Sequence, residues 1–192
     1  MASENPIMTM GAVGPATDLA ADANESPMGS PAHDLVVQLY EELRDPVCRY
    51  LAVLGAPPPA VDDLCQDAFL RLFQALRNGQ RVANPRAWIF TVAHNSGLNA
   101  RAVQARMREL DENADWPGVA MADPELAILD DERLAKIHRA VEGLPPHQRN
   151  CLNLRAEGFR YREIAEIMGV SISAVAGSLR RTVLRIREAI HE

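Results

Sequence analysis

Cysteine is scarce in this 192-residue sequence: Cys48, Cys65 and Cys151 stand far apart with no C-x-x-C spacing. That excludes a zinc ribbon and argues against a disulfide framework, and leaves buried free thiols as the expectation. The five histidines are scattered, without an H-E-x-x-H or a Cys/His cluster, so no metal site and no cofactor are expected. No run of about 18 apolar residues exists to cross a bilayer. The N-terminus also lacks the basic start and apolar stretch of a secretory signal, so a cytoplasmic chain without membrane insertion is expected. No nucleophile–base pair and no Gly-rich phosphate loop emerges, which argues against an enzyme. No stretch reads as a β-strand.

What is present suits a folded, helical protein. Hydrophobic residues make up 47% and charged residues 24%, a globular and not a disordered composition. The net charge of −6 is unevenly spread. Residues 1–31 carry four acids and no Lys or Arg, residues 111–135 carry eight acids and one base, and residues 136–192 carry six acids and ten bases. Acid is concentrated in a tail and a central segment, while the last block is basic, as a module that tracks phosphates would be.

Residues 1–31, rich in Ala, Gly, Pro, Ser and Met, are expected to be disordered. Apolar residues from Leu35 to Leu54 recur at three- and four-residue steps and predict a helix, with Pro46 expected to kink it or split it in two. After "GAPPPA", the stretch "VDDLCQDAFLRLFQALRNG" predicts a second helix, capped by Asp62 or Asp63 and ended by Gly79. "ANPRAW" predicts a third, with Asn84 as cap and Pro85 at the first helical position, running to about Leu110. Residues 111–124 hold acid, Gly and Pro without a period and read as a linker. Helices then follow from Pro124 and from Pro146. The expected class is all-α: two small helical domains, over 32–110 and 136–192, joined by an acidic flexible linker.

The segment "YREIAEIMGVSISAVAGSLRR" predicts a helix-turn-helix. Gly169 supplies the left-handed turn residue and Ser171 caps the second helix. Ile172, Val175, Leu179, Val183, Ile186 and Ile190 form the expected core stripe, leaving Ser173, Ala174, Gly177, Ser178, Arg180 and Arg181 on the free face. Such a face, small at the helix start and basic one turn later, fits a helix N-terminus entering a major groove.

Three stretches together resemble the extracytoplasmic-function group of bacterial sigma factors: "DDLCQDAFLRLF", "NPRAWIFTVAHN" and "LPPHQRNCLNLRAEGFRYREIAEIMGVS". The resemblance spans about residues 34–110 and 136–190. It implies a subunit that binds core RNA polymerase and promoter DNA and is itself controlled by an anti-sigma protein. By position, it implies polymerase contacts at Asp62, Asp63, Gln66 and Asp67. It further implies minus-ten contacts at Arg86, Asn95, Asn99 and Arg101, with Arg106 and Arg108 on phosphates. In the helix-turn-helix, Ser171, Ser173 and Ser178 would face the groove while Arg160, Arg180 and Arg181 hold phosphates near the minus-thirty-five element. Trp88 reads as core, since Trp88 and Val92 lie at helical spacing.

The chain departs from this family's pattern where cations are usual. Ala176 and Ser178 stand near the start of the reading helix, "NARAVQARMR" is a diluted Arg run, and His94 and Asn99 replace a frequent Arg and Asp. Each missing phosphate contact lowers DNA affinity and its salt dependence. Two alternatives stay open: a sigma-like decoy that binds polymerase or a regulator without reading a promoter, and a dimeric repressor, which would bind a palindrome without polymerase.

Overall fold

The computed structural model describes residues 29–110 and 131–191. The expected linker and most of the expected disordered tail lie outside the described residues. Within them are seven α-helices and no strand: α1 (Pro31–Leu54), α2 (Val61–Arg77), α3 (Pro85–Leu110), α4 (Asp131–Glu142), α5 (Pro146–Ala156), α6 (Tyr161–Met168) and α7 (Ile172–His191). No single described helix is long and apolar enough to cross a membrane.

α1 starts at the end of the expected tail, because Ser30 Oγ accepts the His33 amide at 3.2 Å and Pro31 fits the first turn. It then runs unbroken through Pro46 to Gly55, whose φ of 85° closes it. The expected division into two abutting helices is therefore corrected. Leu43, Val47 and Tyr50 around the proline are all buried, and their burial, about 1.5–3 kcal/mol per large side chain, outweighs the roughly 3 kcal/mol an interior proline costs.

A second correction concerns α2. Neither Asp62 nor Asp63 caps it: a short 3-10 turn, Pro58–Ala60, leads directly into Val61. Both acids lie inside the first turn, where the helix dipole favours them, and Asp62 is drawn sideways to Arg44 at 3.0 Å. α2 ends at Arg77, two residues before Gly79. α3 starts as its sequence predicts, with Asn84 Oδ1 accepting the Ala87 amide at 3.0 Å.

α1, α2 and α3 pack mutually around Val47, Tyr50, Leu51, Leu54, Leu72, Ile89 and Phe90. Gly97 permits the close crossing of α3 over α1: a Cβ there would lie 2.9 Å from Leu54 Cδ1 and 3.0 Å from Leu51 Cδ2. α7 packs on α4, α5 and α6. The two halves also meet each other, α1 on α5 and α3 on α6, so that their buried residues form one cluster. At that seam the Phe90 and Phe159 rings pack edge to face, 4.9 Å between centroids.

Tyr50 and His94 place a polar pair inside this cluster, with Tyr50 Oη 2.7 Å from His94 Nδ1. Burial keeps the Tyr50 hydroxyl protonated, so it donates to a neutral imidazole, whose own pKa burial lowers below 6.5. The unfolded chain therefore binds a proton at His94 that the folded chain refuses. The stability this confers is complete above about pH 6.5 and is lost as pH falls through the folded-state value. His94→Gln, which retains a partner for Tyr50, is expected to flatten the acid side of a plot of Tm against pH. An acid side as steep as in the parent protein would assign it to other groups.

Candidate nucleic-acid and protein interfaces

α2 buries Cys65, Ala68, Phe69 and Leu72 on one side. At 100° per residue, the opposite side carries Asp63, Gln66, Asp67 and Leu70. Asp63, Gln66 and Leu70 are exposed, the leucine at 57%. Asp67 Oδ2 meets Arg71 Nε at 2.8 Å one turn on. Asp62 lies at the edge of this face, bound to Arg44. Three of the four expected polymerase-binding side chains thus share one open face, together with a leucine that the sequence reading did not include. An exposed leucine among polar neighbours at steps of three and four was the available signal.

The four residues expected at the minus-ten element do not converge. Asn95 and Asn99 are exposed one turn apart, on the same side of α3 as Arg106. Arg101 is exposed on a different side, its stem lying across Gly55. Arg86 projects from the core side of α3 and is held by the C-terminal half. Its Nη2 donates to the Glu157 carbonyl oxygen and stands 3.9 Å from Glu157 Oε2, and its guanidinium lies 4.7 Å from the Phe159 ring centre. Arg49 Nη2 reaches Glu157 Oε1 at 3.5 Å, and Asn84 Nδ2 donates to Glu163 Oε1 at 2.9 Å. Trp88 is partly buried against the core, as expected. The Arg108 side chain lies outside the described residues.

The turn of the helix-turn-helix forms as its residues predict. Gly169 adopts φ 65°, and Ser171 Oγ accepts the Ala174 amide at 3.1 Å. Ser171 Oγ also bonds Ser173 Oγ at 3.0 Å, so it is committed to the cap. Arg160 opens α6, its amide donating to Glu163 Oε2 at 2.7 Å while its side chain stays exposed. Ser173, Arg180 and Arg181 are exposed on α7, as are Arg185 and Arg187, two cations the sequence reading passed over.

Ser178 requires a correction. It is 2% exposed, and the buried stripe of α7 comprises Val175, Ser178, Leu179 and Thr182, whereas Ile172 and Val183 are 51% and 61% exposed. The helix is turned by roughly 40° from the expected phase. Thr182 fits inside because its Oγ1 donates to the Ser178 carbonyl at 3.0 Å. Ser178 Oγ has no hydrogen-bond partner among the described residues. Ser178→Ala is accordingly expected to leave DNA binding unchanged and to raise stability by up to about 1 kcal/mol; weakened binding by a normally folded variant would restore the serine to the interface.

Among the described residues no group of His, Cys, Asp or Glu could hold a metal ion. A capped helix-turn-helix with an arginine-bearing free face, joined to a helical half with an acidic face, defines a two-part, all-helical DNA-binding protein. Comparison with known proteins makes the class specific. Residues 39–107 match the family model for sigma-70 region 2 and residues 134–186 that for sigma-70 region 4. The chain is 30% identical over 166 residues to the ECF RNA polymerase sigma-E factor of Escherichia coli K12, covering 81% of this chain and 82% of that one. It is 32% identical over 139 residues to the RNA polymerase sigma-H factor of Pseudomonas aeruginosa, covering 67% and 69%. Among solved structures, the sigma factor RpoE in complex with the anti-sigma factor NepR from Bartonella quintana aligns with a TM-score of 0.65 at 22% identity, over 81% of this chain and 96% of that one. CnrH in complex with the cytosolic domain of CnrY aligns at 0.54 and 21%, over 86% and 92%. The chain belongs to the extracytoplasmic-function group of RNA polymerase sigma factors, which direct promoter-specific initiation of transcription.

Proposed function

We propose the following division of labour. The α2 face of Asp63, Gln66, Asp67 and Leu70, with Asp62 at its rim, docks on core polymerase. Asn95, Asn99 and Arg101 on α3 hold the melted minus-ten strand, and Arg86 joins them once the two halves have separated. Ser173 on α7 enters the minus-thirty-five groove, with Arg160, Arg180 and Arg181 on phosphates. Residues 32–110 thus serve the polymerase and the minus-ten element, and residues 136–192 the minus-thirty-five element. The chain performs no chemistry of its own and works in the cytoplasm, where its polymerase is. An anti-sigma protein controls it; the sigma factor RpoE of Bartonella quintana, which shares its fold, is in complex with the anti-sigma factor NepR.

The observation that supports this reading is the pair of open faces, acid and leucine on α2 and arginine on α7, on helices whose other sides are committed to the core. Attachment to polymerase raises the effective concentration of DNA contacts that would be weak alone. The test is promoter-dependent transcription by core polymerase with the Arg180→Ala, Arg181→Ala double variant. Losing two phosphate contacts is expected to reduce promoter output at least tenfold and to lower the salt dependence of promoter binding by about two units. Undiminished output would remove α7 from the promoter interface. The burial of Ser178 and the use of Ser171 as a cap thin the reading face further and favour the decoy as second reading. A decoy would bind polymerase normally and initiate nowhere in a transcript-sequencing assay.

A further inference from the structure

The α1–α2 seam holds two thiols that the proposed function does not use. Cys48, on α1, is half-buried, and its Sγ lies 4.0 Å from Asp62 Oδ1. Asp62 precedes Cys65 by about one helical turn on α2. Cys65, 1% exposed, points its thiol at the Arg44 carbonyl oxygen, 3.6 Å away. That oxygen is the α-helical acceptor for the Cys48 amide, one turn along α1. Each sulfur therefore lies beside the other cysteine's own turn of helix, on facing sides of the seam. The third cysteine is on α5, 2% exposed and against Met168, with 3.5 Å between the sulfurs.

We propose that Cys48 and Cys65 form an intramolecular disulfide when the protein meets hydrogen peroxide, stapling α1 to α2. A disulfide needs Cα atoms no more than about 7 Å apart, and the two cysteines occupy facing turns of directly packed helices. The order of attack follows from their surroundings. Burial, then contact with Cys48, pushes the Cys65 thiol up to about 12, so Cys65 is not the first nucleophile. Cys48 is the more accessible of the two, so peroxide meets it first. The Cys48 thiolate attacks one peroxide oxygen and the O–O bond breaks, giving a sulfenic acid and hydroxide. Cys65 sulfur then attacks Cys48 sulfur: the S–S bond forms, the S–O bond breaks, and the departing hydroxide leaves as water with the Cys65 proton. In all, two thiols and one peroxide give one disulfide and two waters. The closed loop, residues 48–65, holds the two helices in their present register. Oxidation at this seam thus stabilises the fold and shields Cys48 from further oxidation. Nothing in this inference depends on which partner α2 meets.

The test treats the full chain with a small excess of hydrogen peroxide, blocks remaining thiols by alkylation and measures the intact mass. The expected product has lost about 2 Da, the two thiol hydrogens, carries one alkyl group on Cys151 after denaturation, and yields a peptide linking residues 48 and 65. Its Tm rises by several degrees and returns on treatment with a dithiol. Cys48→Ser, a change at a half-buried position that the fold tolerates, is expected to abolish the mass loss. Cys65→Ala is expected to leave Cys48 trappable as a sulfenic acid. Stable gains of about 16 or 32 Da on Cys48 in the parent protein, linkage through Cys151, disulfide dimers, or three alkylatable thiols would each overturn the proposal.

Discussion

Replacing Asp63, Gln66 and Asp67 together by alanine is expected to weaken assembly with core RNA polymerase by more than about a hundredfold, corresponding to roughly 3 kcal/mol. All three side chains project on the side opposite Cys65, Ala68, Phe69 and Leu72, so none supports the core. The one ion pair lost, Asp67 with Arg71, is an exposed i,i+4 pair, worth only a few tenths of a kcal/mol. The variant should therefore fold normally, with unchanged Tm and helix content. Against a basic partner surface, each desolvated acid and the amide contribute at hot-spot level or just below it. Leu70 would carry the apolar share of the proposed contact. It is 57% exposed in the free protein, and its full burial contributes about 1.5–3 kcal/mol, so Leu70→Ala alone should weaken assembly about tenfold. Parent-level polymerase affinity in the triple variant would sink the proposed docking face and, with it, the proposed function.

Phe90→Ala is expected to be the most damaging single truncation. Phe90 is fully buried, tilted against Tyr50 at 5.5 Å between ring centres and edge-on to Phe159 at 4.9 Å. It therefore belongs at once to the packing of α1 against α3 and to the seam between the halves. Large aromatic truncations in cores cost about 3–5 kcal/mol, which lowers the Tm by about ten degrees in a chain of this size. A calorimetric scan checks this. If the variant melts within two or three degrees of the parent, the aromatic seam is not a principal source of stability.

Local rules read the helices well. Asn84, Pro85, Gly169 and Ser171 do in the structure what their side chains dictate, because capping and left-handed turns depend on the neighbouring three or four residues alone. Periodicity alone mis-set the phase of α7. By periodicity Ile172 and Val183 count as core because they are apolar, and Ser178 as surface because it is polar. Yet Thr182 satisfies its hydroxyl within its own helix, so a polar side chain could turn inward. Asp62 does not cap α2 because the turn Pro58–Ala60 starts the helix one residue earlier, at Val61, and no capping residue in the sequence announces that turn. The family motifs named Asp63, Gln66 and Asp67, which share one side of α2, but not the exposed Leu70 among them. They also grouped Arg86 with Asn95, Asn99 and Arg101, which the structure leaves on different sides of α3. The capture of Arg86 by Glu157 joins residues far apart in the chain, and nothing local to either one announces it.

Glu157 is an imperfect host for that arginine. Of the guanidinium's five N–H donors, one is bonded to a backbone carbonyl, the nearest carboxylate oxygen stays at 3.9 Å, and Nε is buried without an acceptor. A phosphodiester presents oxygens in the forked geometry that a guanidinium satisfies best. On the proposed function, a nucleic-acid strand arriving at α3 would displace Glu157 by offering Arg86 a fuller set of bonds.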